Sequence, residues 1–429
     1  MKRWLGLGLL TVYLWGASLG SSLAQGLAPV YSSLAYQLGA VSVVAGKDDP
    51  ADRPRLPHLR LGADDGLRIS FDLLDQPQTH LSYRISQLNR QGKPTGRPAI
   101  TYLSSFADGR LDPPIPSRGV LRSYDHYTLE LPNLAKQLKE SGSYQLEIYT
   151  PDEPEASVLL VPFFVSEEVG LGVVPVLATS LLGSDALTSQ QVDIRLLLSA
   201  SLGIRSQDLH PVVVQNARWD NAVTLSNPSY ASLTEVRYEA DRGARFEGGN
   251  TYLKLEHLTD EAQGLGVEAC LQTDSGTLLR LLPLRQPGAL LFRSDSAHQG
   301  IQRLRSLDSE DVATEGEYHL VDFRLLMSRK NEGEVFLAGE AFRYLPEVKR
   351  LLKYDSSIGG YRTTLPLKSG YQEYQYLLRP HGWTSLISAP TVGSHYQTTN
   401  YYTVLVYLHG ARDMHDRLIA YQALSSYLY

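Results

Sequence analysis

Leu67-Arg68-Ile69-Ser70-Phe71-Asp72-Leu73 places an apolar side chain at every odd position and a polar one at every even position. Period two is the period of a strand that buries one face and wets the other. The pattern returns at Tyr144, Leu146 and Ile148, at Val192, Ile194, Leu196 and Leu198, and at Val321, Phe323 and Leu325, which alternate with Asp322 and Arg324. These stretches predict half-buried strands of antiparallel sheets. The denser run from Tyr402 to Leu408 predicts a central strand. Turn signals stand between the strands at Asp108-Gly109, Ser141-Gly142, Gly248-Gly249-Asn250, Asn331-Glu332-Gly333 and Gly359-Gly360. Helix is scarce. Asn133 to Glu140 predicts two turns with Gly142 as the stop, and Pro346 to Leu352 predicts one more short turn.

Closely spaced strands without intervening long helices predict a mainly β fold of three consecutive β-sandwich, immunoglobulin-like domains. The polar or flexible seams Glu167-Glu168-Val169-Gly170 and Thr314-Glu315-Gly316 divide the chain into domains at 55–168, 169–314 and 315–429. A leader at 25–54 and a signal peptide at 1–24 precede them. The signal peptide is read from Lys2-Arg3, the apolar run Trp4 to Leu19, and Ser22-Leu23-Ala24, which sets cleavage before Gln25 and export to the periplasm. That run is short of the ~20 residues a membrane-spanning helix needs. No later apolar stretch is long enough, so the mature chain is expected to have no transmembrane segment.

Tyrosine is abundant, 26 residues against 9 Phe and 4 Trp, and suits half-buried pleated surfaces. Without Lys2 and Arg3 the chain carries 38 bases against 46 acids, a net charge of −8 with no long basic run, which argues against nucleic acid as a partner. The single cysteine, Cys270, can form neither an internal disulfide nor a zinc site and reads as a small buried hydrophobe. The sequence lacks a His-Glu-x-x-His motif, a P-loop and a Gly-x-Ser-x-Gly elbow; Gly170-Leu171-Gly172 lacks the third glycine of a dinucleotide loop. His409 and His415 fit no common metal spacing. The reading is a non-enzyme without metal or cofactor.

Several unusual strings occur in order: Ser123-Tyr124-Asp125-His126-Tyr127, Leu129-Glu130-Leu131-Pro132-Asn133, Ser141-Gly142-Ser143-Tyr144, Gln215-Asn216-Ala217-Arg218-Trp219-Asp220-Asn221 and Phe246-Glu247-Gly248-Gly249-Asn250. Leu367-Lys368-Ser369-Gly370-Tyr371, Gly393-Ser394-His395-Tyr396-Gln397-Thr398-Thr399-Asn400-Tyr401 and Asp416-Arg417-Leu418-Ile419-Ala420-Tyr421 follow. From Leu61 to Tyr421 this order resembles the plug proteins of the bacterial type IX secretion system. The resemblance implies a periplasmic, non-catalytic plug, a monomer within a complex. It would bind and seal the periplasmic mouth of the outer-membrane translocon barrel between substrates. Arg218, Trp219 and Asn221 are the candidate partner-binding residues, with Trp219 read alternatively as a core or inter-sheet anchor. Gly248, Gly249, Asn250, Gly370 and Gly393 are read as turn landmarks, and His395 and Asn400 as makers of local turn hydrogen bonds.

A fainter likeness joins Val335 to Glu340, Lys353-Tyr354-Asp355 and Leu367 to Tyr376 to early-set immunoglobulin-like modules, some of which bind glycans through aromatic platforms. The Trp expected shortly after Gly339 is missing and Phe342 and Tyr344 stand instead, which weakens the sugar reading and leaves the fold reading intact. A periplasmic or surface glycan-binding protein, suggested by this block and the tyrosine content, is the alternative. An outer-membrane barrel, raised by the terminal Tyr429, is disfavoured by short strands and 23 prolines.

Overall fold

A computed structural model describes residues 37–426 apart from 48–51, 76–77, 168, 178–183, 200, 202, 260–263, 275 and 330–332. The signal peptide, its cleavage site, most of the leader, Asn331-Glu332 and Tyr429 lie outside the described residues. The protein is mainly β, 51% strand and 10% helix. Among the described residues the strands form five sheets around three large apolar cores.

The opening alternation is the strand Leu67–Leu74, second in a four-stranded sheet between Leu38–Ala45 and Tyr124–Leu131. Its register sets Ile69 against Leu129 and Phe71 against Tyr127, so like faces meet; the Phe71 and Tyr127 rings stack at 5.2 Å. These residues share one core with Tyr144, Leu146, Ile148, Val161 and Phe163 of a five-stranded sheet built on Gly142–Thr150 and Glu153–Ser166. Leu38–Ala45 is thus a strand of this N-terminal unit, and the leader expected over 25–54 does not hold there.

The middle unit packs Ser189–Leu197 and its neighbours against a sheet ordered Arg218–Thr224, Leu209–Gln215, Tyr401–Leu408, Arg417–Ser425. The apolar run at the end of the chain is therefore a central strand, but of the middle unit. In the third unit a ten-stranded sheet curls so that Leu255, Leu281, Phe323, Leu337 and Tyr376 face a single core. Leu253–His257 and Gly276–Leu281 belong to it, together with Tyr318–Leu326 and Gly370–Pro380. All strands of the two N-terminal sheets lie before residue 168, whereas the linear cut at 314/315 does not follow the sheets, because the pairing partners of the middle and third units lie far apart along the chain.

Local departures have local causes. The helix expected over Asn133 to Glu140 is only Leu134–Gln137, with Asn133 left-handed at φ 56°; the turn expected over Pro346 to Leu352 is Glu347–Arg350. Asp108-Gly109 lies in a short strand paired with Ser82–Leu88, and Gly142 opens a strand. Most pairings are antiparallel, but His58–Arg60 runs parallel to Glu153–Ser166 and Gly276–Leu281 parallel to Tyr318–Leu326.

Two joints hold the N-terminal unit to the others. In the first, buried Asp72 accepts from Lys368 Nζ at 2.7 Å and from the Tyr318 hydroxyl at 2.6 Å, and lies 2.7 Å from His126 Nδ1. Lys368 also donates to the Ala313 carbonyl at 2.8 Å and sits 4.1 Å from the Tyr124 ring centroid. Burial pushes the Lys368 ammonium down from its usual range, and Asp72 opposes that shift. In the second, Arg90 donates its backbone N–H and its guanidinium to Asp416, and Arg417 forks onto Glu167, which also accepts from Ser141. Leu56, Leu88 and Phe164 fill the apolar space beside this joint with Val214, Trp219, Leu405 and Leu418.

Asp72→Ala leaves a buried ammonium without its counterion and is expected to cost about 3–5 kcal/mol in urea unfolding. The double variant Asp72→Asn with Lys368→Met removes both charges and should recover much of that loss; a double variant no more stable than the single one would refute the ion pair as the clamp.

In the third unit His257 and His319 meet edge to face at 5.0 Å, both buried. Burial, then the neighbouring His319, lowers the His257 pKa from 6.5 to about 3. The folded value lies below the unfolded one, so the folded protein binds fewer protons. The contribution of His257 is intact above pH 6.5 and falls away as pH drops towards 3. By pH 5 the loss is about 2 kcal/mol. Chemical denaturation across this window should show that slope, and His257→Leu should flatten it.

Candidate partner-binding site

Along the strand Arg218–Thr224 alternation sends Trp219 one way and its neighbours Arg218 and Asp220 the other. Trp219 is 4% exposed and lies against Phe164 of the N-terminal unit, ring centroids 5.2 Å apart. It bridges one unit to another and also lines a cavity beside Arg218. Arg218 forks onto Asp220 at 3.1 and 2.6 Å. The pair exchanges two hydrogen bonds with one residue of the third unit: Arg218 donates to the Leu386 carbonyl at 2.7 Å, and Asp220 accepts the Leu386 N–H at 2.9 Å. Burial works against both charges and the ion pair outweighs it, so the guanidinium sits above its usual range and the Asp220 carboxyl below. Asn221 donates to Gln215 Oε1 at 3.1 Å, and Gln215 donates to the Glu247 carbonyl at 2.8 Å.

The glycine landmarks form part of the same junction. Gly248 passes so close to the chain at His395 that a Cβ would stand 2.1 Å from the His395 carbonyl oxygen, and Gly249 adopts φ +65°. The Gly249 carbonyl accepts the His395 N–H at 2.8 Å and the Thr398 hydroxyl at 2.8 Å. Asn250 donates to the carbonyls of Leu291 and Val392 at 2.8 and 2.7 Å. Asn400 donates to the Gly248 carbonyl at 2.7 Å and to Gln190 at 2.8 Å, and accepts from Asn216 at 2.7 Å. His395 Nε2 lies 2.9 Å from the Leu290 carbonyl. Local turn hydrogen bonds are present, from the Thr398 N–H to the His395 carbonyl at 3.2 Å and from Asn400 to the Thr398 carbonyl at 3.4 Å, but shorter side-chain bonds of both residues run across the junction, where the two loops face each other. Gly393 closes the short helix Ala389–Val392 at φ +83°, whereas Gly370 lies apart, packed on the Arg303 carbonyl.

Two cavities of about 230 Å³ each flank Arg218. Asn221, Gly248, Gly249, Asn250 and Asn400 line one. Asp220, Arg343, Glu347, Arg350, Arg379 and the 52% exposed Trp383 line the other. Sequence reasoning missed these last residues. Glu347 and Arg350 read there only as part of the short turn over Pro346 to Leu352, and it is the Gly370–Pro380 strand and the loop after it that bring Arg379 and Trp383 beside them. His409 sits 3.1 Å from Asp416 and His415 3.6 Å from Glu140, each paired separately. Among the described residues no three His, Cys, Asp or Glu side chains gather to hold a metal, and no helix is long and apolar enough to cross a membrane. Cys270 is half-buried and packs against the third core. Phe342 and Tyr344 are buried, with Phe342 edge-on to Phe323, so neither forms a surface platform.

Residues 40–167 match the family model of the type 9 secretion system plug protein 1st domain. This part of the chain belongs to the plug family. The match associates the protein with type IX secretion. The likeness extends further in space: a crystal structure of a hypothetical protein from Parabacteroides merdae ATCC 43184 aligns with a TM-score of 0.84 at 26% identity, over 93% of this chain and 99% of that one. No curated protein matches.

Trp219→Ala is expected to destabilise the protein by about 3–5 kcal/mol. It should also make the 167–172 seam newly sensitive to protease, because the lost contact bridges two units. A variant that melts and resists protease like the parent would show that Trp219 is not an anchor.

Proposed function

We propose that this protein is a non-catalytic periplasmic plug that binds and seals the periplasmic mouth of the type IX translocon barrel when no substrate is passing. The observation that carries this reading is the plug-family match over residues 40–167. Its physical support is the pair of buried joints, which bind the N-terminal unit into one body with the rest. A stopper must resist deformation across a wide opening, and hydrogen-bonded ion pairs between units, fully buried at Asp72–Lys368 and partly buried at the second joint, resist hinge motion. We read the architecture as three β-sandwich units, the last early-set-like, with the middle one closed by the end of the chain. Of the residues assigned to partner binding, Arg218, Trp219 and Asn221 all line cavities at the junction, and Trp219 also packs on Phe164. Phe342 and Tyr344 are buried, so these two residues supply no aromatic platform for the glycan alternative.

The test is outer-membrane leakage. A deletion strain is expected to take up dyes and large antibiotics that the parent excludes, and further deletion of the barrel should abolish the leak. A leak that persists without the barrel, or no leak together with failure of the purified protein to associate with the barrel, would overturn the reading.

A further inference from the structure

The cavity that Asp220, Arg343 and Trp383 line also holds two side chains with an unanswered polar atom. Trp219 lines it, 4% exposed, and its indole Nε1–H is buried without a hydrogen-bond partner. Gln299 lines it too, 2% exposed. Its amide Nε2 donates to the Thr399 carbonyl, which identifies the other amide atom as the oxygen, and that Oε1 is buried without a partner. Native proteins keep few such groups unmet. Gln299 is also held at φ +62°, in the left-handed region that residues other than glycine seldom adopt. Backbone strain of this kind gathers where a chain is shaped for a ligand.

One donor and one acceptor in the same cavity suit hydroxyl groups, which accept and donate alike. The charged side chains of the lining do not ask for an ion. Four guanidinium groups and three carboxylates stand near balance, and each is already engaged. Arg218 forks onto Asp220, and Arg350 and Arg379 both meet Glu347. Arg343 donates to the Arg55 carbonyl and Glu340 accepts the Gln302 N–H. An ionic ligand would have to break into these bonds, whereas an uncharged one need not. The lining is aromatic as well: Tyr252 is buried in it, and the 52% exposed Trp383 marks its opening to solvent. At about 230 Å³ the space is several times the roughly 30 Å³ share of one water, yet below the roughly 300 Å³ of a drug-sized site. One small ring fits it.

We propose that this cavity binds one uncharged sugar ring, with hydroxyls on Trp219 Nε1–H and Gln299 Oε1 and an apolar C–H face against Trp383. The site stands apart from the plug reading, because it is measured on the purified protein and its failure leaves the leakage test untouched. It also lies on other residues than Phe342 and Tyr344, to which the early-set likeness pointed.

Trp219 and Trp383 are the only tryptophans of residues 25–429, so the intrinsic fluorescence of the mature chain reports on this cavity. The probes are glucose, galactose, mannose and N-acetylglucosamine, each as reducing sugar and as methyl glycoside, titrated to about 50 mM. At least one is expected to shift the emission saturably, with a Kd of about a millimolar and no dependence on salt. Methyl glycosides that bind as well as the reducing sugars assign the end of a glycan as the ligand; binding of the reducing sugars alone assigns a free sugar. Ligand-observed NMR follows the variants. Trp383→Ala, at an exposed position, should weaken binding about tenfold while melting like the parent. Trp219→Phe keeps a ring against Phe164 but deletes the N–H, and should also weaken binding about tenfold. Either variant decides the matter if the other does not fold. The proposal is overturned if no sugar binds, since the cavity then holds only water, or if a folded variant binds unchanged, since the sugar then sits elsewhere. It is equally overturned if inorganic phosphate displaces the sugar, since the site is then one for anions.

Discussion

Asp72 and Lys368 face each other 296 positions apart in the chain, both almost wholly withdrawn from water, and much of the architecture is arranged around keeping that pair satisfied. Isolated, either charge would cost several kcal/mol to bury. Here Asp72 accepts from an ammonium and a phenol and has a histidine ring nitrogen within hydrogen-bond distance, while Lys368 also reaches a carbonyl and lies over an aromatic face. The partners come from three strands and the short helix Val312–Glu315. Tyr318 in turn accepts the Ala40 N–H at 2.8 Å, and Tyr124 donates to the Gly316 carbonyl at 3.0 Å. Because these bonds have direction, the N-terminal sheet can meet the third unit in only one register. An apolar contact of equal area would tolerate sliding.

The second joint works by the same logic with different chemistry. Arg417 and Ser141 both point at Glu167, the last residue before the seam to the middle unit, and hold its carboxyl below the usual range despite burial. The segment expected to be a flexible connection is thus fastened at its start. Trp219 and Phe164 supply the apolar half of the contact. Two joints on different faces of the N-terminal unit remove the rotation that either one alone would permit.

The strands of this fold were legible because burial of one face imposes period two on the residues that form them, and the Leu67 to Leu73 alternation describes the observed core face residue by residue. What covers the other face was not legible. Asp72 falls at an outward position of that alternation, where solvent is the default, yet it is 1% exposed. Alternation records which side of a sheet a residue takes, and only tertiary packing decides whether that side meets water. The same limit hid the membership of Tyr401–Leu408, since a strand's pattern does not name its neighbour. Trp219 stood between the two readings its sequence context allowed, and the ring it packs on, Phe164, lies 55 positions upstream, where no local pattern could name it.

The strings that marked the chain as plug-like turn out to be the residues of its joints. Tyr124, His126 and Lys368 surround Asp72; Ser141, Asp416 and Arg417 make the second joint; Gln215 to Asn221, Gly248 to Asn250 and Ser394 to Asn400 interlock at the third junction. These are positions where replacement is most constrained. A buried polar group must meet one particular partner, and a glycine under a neighbouring carbonyl admits no side chain. Core Leu and Val exchange more freely, provided volume is kept. Signature residues in such a molecule therefore report how its units are held together. The surface that meets a partner, where side chains stand in water and tolerate change, leaves a fainter mark on the sequence and has to be sought in the structure itself.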